Sequence, residues 1–207
     1  MDGSANVTAF ILAGGKSSRM GTEKAFVEFE GRTLLARALE LARSVASQVY
    51  IVGDRAKFAD FAPVIEDIFR ECGPLGGIHA ALLASRTELN LILAVDTPFI
   101  SRGFLQYLIS QAAKSPEAIA LVPHCSGYSH PLCAVYRPAF AAAAEAALRA
   151  GSNRIDRLFS EVRSRILSQD EIEAAGFSAE IFRNLNTPEE LEAETLKAPQ
   201  NAGRGAI

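Results

Sequence analysis

The sequence predicts a single-domain α/β protein, a three-layer sandwich whose mostly parallel central sheet is covered by helices on both faces. Three observations carry that expectation. Short apolar runs of strand length alternate with segments whose apolar residues recur at helical spacing. The strand-like runs end in glycine- or acid-bearing loops, the places where a βαβ chain turns over. No linker long or polar enough to divide the chain interrupts the alternation.

Taken in order, residues 7–13 (VTAFILA) read as a buried strand stopped by Gly14-Gly15. Residues 33–46 carry Leu34, Leu35, Ala38, Leu41, Ala42 and Val45 on one helical face. A strand over 49–52 ends at Gly53-Asp54, and another spans 63–65. Residues 75–84 predict a helix and 91–95 the strongest strand of the chain. A helix over 104–113 precedes strands over 118–123 and 133–136, then an alanine-rich helix over 139–150 ends at Gly151. A last helix is expected over 188–196, with Thr187 as N-cap and Glu190 completing the capping box. These elements make one domain over residues 1–196; residues 197–207 have few apolar anchors and are expected to be disordered.

The 207 residues are 49% hydrophobic, enough for one sizeable core, and carry a formal net charge of −3. That balance argues against a general nucleic-acid or anionic-membrane binder, so any anionic ligand needs a local basic cluster. No apolar run approaches the ~20 residues that cross a bilayer, and the N-terminus lacks the basic start of a secretory signal. Cys72, Cys125 and Cys133 form no disulfide framework, which points to reduced thiols in a cytoplasmic protein.

Ligands of an open α/β sheet bind beyond the carboxyl ends of its strands. Four such segments stand out. In LAGGKSSRMG (residues 12–21), followed by Lys24, paired glycines let backbone N–H groups approach a phosphate, and Lys16, Arg19 and Lys24 supply the charge. The loop is not a Walker A motif, because Phe10 stands where that motif needs glycine, and G-x-G-x-x-G is absent. A glycine turn with solvated lysines is the plainer reading of the same residues. Glu66-Asp67 and then GPLGG (73–77) follow the strand over 63–65, as a ligand loop or simply a turn into a helix. Asp96, in DTPF at the end of the strongest strand, is placed to hold Mg²⁺ together with substrate phosphates, or to cap the turn before Pro98. Asp67 could add a second carboxylate or bind ribose. The fourth segment, NLNTPEEL (184–191), is by local physics a turn and a capped helix start.

The run LAGGKSSRMGTEK (12–24) resembles the signature of the MobA-like nucleotidyltransferases. GPLGG, DTPF, His130-Pro131 and NLNTPEEL, in that order, resemble the molybdenum cofactor guanylyltransferases among them. The resemblance implies a Rossmann-like fold and Mg²⁺-dependent transfer of GMP from GTP to the terminal phosphate of molybdopterin. Carried over by position, Leu12, Ala13, Gly14 and Gly15 would recognise the guanine nucleotide, with Gly73 and Gly77 forming the second glycine loop. Arg19 and Lys24 would contact phosphates, Asp67 the nucleotide and Asp96 the Mg²⁺, so Lys24, Arg19 and Asp96 are the expected catalytic set. Arg154, Asn184, Asn186 and His130 would line the acceptor pocket.

Implied partners are GTP and Mo-molybdopterin, with room for molybdoenzyme chaperones or other cofactor-biosynthesis proteins, and neither nucleic acid nor membrane. A CTP-dependent molybdopterin cytidylyltransferase and a non-catalytic nucleotide-binding regulator are the alternatives. Gly14-Gly15 with 73–77 favours GTP over the first, and Lys24 with Asp96 argues against the second. Three departures from the family pattern are visible: Glu23 in place of aspartate, Gly76 in place of a common alanine, and Val52-Gly53 where a polar residue often contacts the nucleotide. The spacing of His124, Cys125, His130 and Cys133 matches no zinc-ribbon or finger pattern, and adjacent strand residues point to opposite faces.

Overall fold

The computed structural model describes residues 6–14 and 23–184. Along them run β1 (Val7–Leu12), β2 (Glu28–Phe29), β3 (Arg32–Thr33), α1 (Leu34–Arg43), β4 (Gln48–Val52), α2 (Arg55–Phe58) and β5 (Val64–Ile65). Next come α3 (Pro74–Ala84), β6 (Leu89–Ala94), α4 (Arg102–Lys114), β7 (Ala120–Cys125), β8 (Tyr128–Ser129) and β9 (Cys133–Tyr136). The last are α5 (Phe140–Arg149), α6 (Ile155–Glu161), β10 (Ser164–Leu167) and α7 (Gln169–Ala174). One 3-10 turn, Lys24–Phe26, lies between β1 and β2, and another, Ala179–Phe182, follows α7.

The central sheet has the order β10-β7-β9-β6-β1-β4-β5, with β8 paired to β7. β1 runs parallel to both β4 and β6, β4 to β5, and β7 to β10. The sheet is therefore mostly parallel, as the alternation of elements predicts. β9 alone in this order is antiparallel to its neighbours β6 and β7. The short return between β7 and β9 explains it: a parallel neighbour needs a crossover of a dozen or more residues.

All six residues of β1 and of β6 are buried, the mark of strands covered on both faces. Alternate β1 residues divide between two cores. Val7, Ala9 and Ile11 meet Leu35, Ala38 and Leu39 of α1 and Phe104, Leu105 and Leu108 of α4. Phe10 and Leu12 meet Leu75 and Ile78 of α3 and Phe140 and Ala144 of α5. Helix starts are fixed by side chains: Thr33 Oγ1 accepts from the Ala36 amide and Ser101 Oγ from that of Phe104.

The predicted strands and helices up to residue 150 all form, with ends shifted by a few residues. The β2–β3 hairpin, α2, β8, α6, β10 and α7 carried no sequence expectation. Each is short; the hairpin hinges on Glu30 and Gly31, both in the left-handed region (φ 49° and 74°). β10 is only four residues long, three of them incompletely buried, so it lacks the apolar run that marks a strand. The helix expected over 188–196, with Thr187 and Glu190, and the tail 197–207 lie outside the described residues. No described helix is long and apolar enough to cross a membrane.

The exits of β1, β4, β5 and β6 share one edge of the sheet. From β1 the chain builds outward to β4 and β5, then returns to place β6 on the other side, so strand order switches between β1 and β6. That is where an open sheet offers its crevice. At the opposite edge, buried polar side chains tie strands together: Thr87 Oγ1 donates to Thr8 Oγ1 at 2.9 Å and Asn90 Nδ2 to the Tyr136 carbonyl at 3.2 Å.

Candidate active site

β1 ends with Leu12 and buried Ala13, whose amide donates to the Val52 carbonyl at 3.0 Å. Gly14 then runs beside Gly53: a Cβ on Gly14 would lie 3.8 Å from the Gly53 Cα. A Cβ on Gly53 would meet the Phe58 ring at 3.0 Å, and Phe58 is fully buried. A side chain at 53 would press on that ring, so this strand end offers backbone rather than a side chain. Gly15 and Arg19, with Lys16, lie outside the described residues.

The second glycine loop closes on the first. Gly73 adopts φ 66°, and Pro74, which has no amide hydrogen to leave unpaired, opens α3. A Cβ on Gly77 would sit 3.4 Å from Leu12 and Val52 side chains and 3.5 Å from Asp67 Oδ1. The structure therefore brings Leu12, Asp67 and Gly77 together. Gly76 is more demanding than its sequence suggests: a Cβ there would lie 2.7 Å from the Phe69 carbonyl oxygen, so the family's common alanine does not fit this backbone. Asp67 Oδ1 is buried with no hydrogen-bond partner, and burial raises its carboxyl pKa. A buried, unsatisfied acceptor at a strand end is a site for donors from a ligand, such as ribose hydroxyls or base N–H groups.

Beyond β6 the chain passes buried Val95 to Asp96, and Thr97 Oγ1 donates to the Ala94 carbonyl at 3.1 Å to shape the turn. Lys24 Nζ donates to Asp96 Oδ2 at 2.9 Å, with both side chains about one-fifth exposed (22% and 20%). The carboxylate thus faces a cation across the crevice. Lys24 reaches it from a segment anchored by fully buried Ala25 and by Phe26, whose ring stacks on Phe58 at 5.7 Å. Glu23 pairs with Lys57 of α2 at 2.6 Å, and that hydrogen bond raises the Lys57 pKa. The longer side chain of Glu23, a departure from the family pattern, has this contact as its structural counterpart.

The expected acceptor residues are more dispersed. His130 donates its amide to the Pro123 carbonyl at 2.8 Å and stacks on Phe182, ring centroids 4.0 Å apart at 15°. Its Nε2 is buried without a partner. Burial chiefly lowers the His130 pKa, with His124 adding to the effect and a backbone hydrogen bond at Cys125 opposing it. Asn184 is exposed and follows Arg183, whose guanidinium lies 4.5 Å over the Phe99 ring, three positions beyond Asp96. Arg154 is exposed at the N-cap of α6, where it makes no hydrogen bond or ion pair among the described residues. Asn186 lies outside them. The Phe99–Arg183 and Glu23–Lys57 contacts had no sequence signal, because each joins segments distant in the chain.

His124 and the cysteines have packing roles. His124 Nδ1 lies 3.3 Å from Ser129 Oγ across the β7–β8 pair. Cys125 and Cys133 are buried in the core, and burial pushes the Cys133 thiol far up. Cys72 is half-buried against Gly76.

Comparisons with known proteins converge on one family. The family model of the MobA-like NTP transferase domain matches residues 9–166. A probable molybdenum cofactor guanylyltransferase of Flavobacterium johnsoniae is 34% identical over 89% of this chain and 94% of its own length. A molybdenum cofactor guanylyltransferase of Desulfosudis oleivorans is 34% identical over 96% of this chain and 98% of its own. The crystal structure of molybdopterin-guanine dinucleotide biosynthesis protein A from Archaeoglobus fulgidus superposes with a TM-score of 0.79 at 26% identity, covering 92% of this chain and 97% of that one.

Proposed function

The chain belongs to the MobA-like NTP transferase family, and on that premise we propose that it is a molybdenum cofactor guanylyltransferase. It transfers GMP from GTP to the terminal phosphate of molybdopterin, giving molybdopterin guanine dinucleotide and pyrophosphate. The observation that carries this reading is the Lys24–Asp96 contact at the strand-order switch, beside two glycine loops that close on each other. A binding protein needs glycine loops; the opposed cation and carboxylate are what transfer chemistry adds.

The nucleotide lies along Gly14, Gly15, Gly73 and Gly77, whose missing side chains let it approach the backbone. Asp67 accepts from its ribose or base. Arg19 and Lys24 hold the phosphates, and Lys24 offsets the charge that builds on the α-phosphate and the leaving pyrophosphate. Asp96 fits a divalent cation: it is a hard oxygen donor at the crevice, it already faces the Lys24 ammonium, and Mg²⁺ characteristically binds one or two carboxylates plus substrate phosphates. Bound there, Mg²⁺ supplies Lewis-acid polarisation of the phosphates.

The acceptor phosphate is already anionic, so the side chains need not remove a proton. One of its oxygens forms a bond to the α-phosphorus of GTP as the bond to the pyrophosphate oxygen breaks. Arg154, His130, Asn184 and Asn186 orient the pterin, so the protein's contribution is alignment and charge. The three thiols, free of disulfides, suit the cytoplasm. Molybdoenzyme chaperones are natural recipients of the product.

The test is calorimetry with GTP, CTP and ATP in Mg²⁺ on wild type and Asp96→Ala, followed by turnover with molybdopterin. GTP preference, weaker metal-dependent binding in the variant and pyrophosphate release support the reading. Preference for CTP moves the protein to cytidylyl transfer, and binding without turnover makes it a regulator.

A further inference from the structure

A lysine ammonium rides on a flexible four-carbon stem, so it is placed only as well as the backbone beneath it. The backbone of Lys24 lies in a 3-10 turn of three residues with no side-chain cap. A single turn cannot hold itself, because helix formation begins with an unfavourable nucleus. The position of Lys24 therefore comes from packing against other segments.

α2 supplies that packing. The helix follows β4, and its start is fixed by Asp54, whose side chain accepts from the Ala56 amide. From it one fully buried ring, that of Phe58, touches two segments at once. On one side it stacks on Phe26, centroids 5.7 Å apart at 30°, two positions beyond Lys24. On the other its Cδ2 and Cε2 atoms lie against Gly53, where a Cβ would meet them at 3.1 and 3.0 Å. Gly53 in turn runs beside Gly14, and its amide donates to the Ile65 carbonyl at 3.0 Å. Phe61, just beyond α2, adds a second ring against Phe26 at 5.7 Å. Arg55 reaches the other way, Nη2 donating to the Val64 carbonyl at 2.9 Å. A four-residue helix thus ties the Lys24 turn, the exit of β4 and strand β5 to one another.

Phe58 is the element common to the lysine and the glycine loop. Filling the core would need only apolar volume, but this ring also fixes the separation between Phe26 and Gly53. We infer that Phe58 is a positioning residue for nucleotidyl transfer. It sets Lys24 at a fixed distance from the Gly14–Gly53 backbone that receives the nucleotide, and so holds the ammonium where phosphate charge develops. This rests on the guanylyl-transfer reading and adds to it a residue that, being fully buried, touches no substrate.

The experiment measures pyrophosphate release with GTP varied at saturating molybdopterin, and Mn²⁺ binding by calorimetry without nucleotide. The proteins are wild type, Phe58→Leu, Phe26→Leu, Lys24→Gln and the double variant Phe58→Leu/Lys24→Gln. Phe58→Leu is expected to lower kcat about tenfold or more, the scale of a misplaced reacting group. Its KM for GTP stays within about twofold, because the glycine loop itself is intact. Added to Lys24→Gln, the same change lowers kcat less than about twofold further, since the group it acts through is already gone. Phe26→Leu removes the stack at a half-buried position, leaves Phe58 in the core, and should repeat the loss of kcat even if Phe58→Leu fails to fold. An equal loss from Phe58→Leu in both backgrounds, a rise in KM as large as the fall in kcat, or full kcat in Phe26→Leu would overturn the assignment while leaving guanylyl transfer standing. Absence of turnover by the wild type would instead overturn the reaction, and the Mn²⁺ data then decide the positioning role. A slackened Lys24 yields Asp96 to the metal, so both single phenylalanine variants should bind Mn²⁺ more tightly than wild type; unchanged or weaker binding in both overturns it.

Discussion

Lys24 Nζ lies 2.9 Å from Asp96 Oδ2, a contact that spans 72 positions of sequence and joins the segment after β1 to the exit of β6. Each residue is the other's counter-charge before substrate arrives. A divalent cation and the Lys24 ammonium therefore compete for one carboxylate in the nucleotide-free protein. Lys24→Gln is expected to tighten Mn²⁺ binding in the absence of nucleotide, while lowering kcat about 100- to 1000-fold through loss of phosphate neutralisation. Calorimetry with Mn²⁺ alone reads the first effect and pyrophosphate release the second. Weaker Mn²⁺ binding in the variant would contradict the competition.

Asp67 links ligand binding to stability in opposite senses. Burial raises its folded-state pKa above the ordinary 3.8, so ionisation is disfavoured by the fold. The stability associated with this group is fully present below the unfolded value and is lost as pH rises through the folded one. Asp67→Asn should therefore raise the thermal midpoint at neutral pH without ligand, yet weaken GTP binding by about tenfold or more. Thermal melts with and without GTP test both halves. A lower midpoint in the unliganded variant would show that the carboxylate is satisfied.

Gly76→Ala places a methyl 2.7 Å from the Phe69 carbonyl oxygen, a backbone atom with little freedom to retreat. Overpacking of this kind costs about 1–3 kcal/mol. Denaturant unfolding should register that loss, and GTP affinity should fall with it because Asp67 is carried by the same displaced loop. Unchanged stability would mean that the loop moves freely.

Glu23→Asp tests whether reach matters beside Lys24. The shortened side chain loses Lys57, a half-exposed partner, so stability should change by only about 0–1 kcal/mol. The consequence expected is kinetic: kcat should fall several-fold, with little change in melting, as a slightly misplaced Lys24 loses alignment. Equal kcat in both proteins would make the Glu23–Lys57 pair a surface detail.

His130 predicts a pH effect. Its folded-state pKa is depressed, chiefly by burial, below the usual 6.5. As pH falls through 6.5 the unfolded chain takes up a proton that the folded chain resists, so stability declines toward the folded value and levels off below it. His130→Phe keeps a ring against Phe182 and removes the proton. Its thermal midpoint should vary less between about pH 8 and 5 than that of wild type. Parallel pH curves would place the dependence on other groups.

The legible part of this protein is the part written in contiguous residues. Val7–Leu12 and Leu89–Ala94 announce themselves because strands buried on both faces must be apolar throughout. Asp96 follows from the second of these, and Asp67 from the strand at Val64–Ile65, since strand exits face the crevice. What could not be read depends on partners far away in sequence. Gly76 looks like any turn glycine until the Phe69 carbonyl is found against it, and Arg183 looks like a surface arginine until Phe99 is beneath it. β10 was hidden because four residues with a polar start fall below any periodic signal. Its place beside β7 is set by tertiary packing alone.

The reversed direction of β9 divides the crevice into two kinds of construction. On the side of β4 and β5, each strand reaches the rim only once, and the chain must travel the full depth of the sheet before it can return. On the other side, β7 reaches the rim and β9 leaves it a few residues later, with His130 between them and exposed Ser126 and Gly127 in the turn. That short return can be lengthened, shortened or re-sequenced without rerouting a helix. The wall proposed to face the acceptor is therefore the editable half of the molecule: grafting a longer β7–β8 turn should offer a route to new acceptors while the proposed nucleotide loops stay as they are.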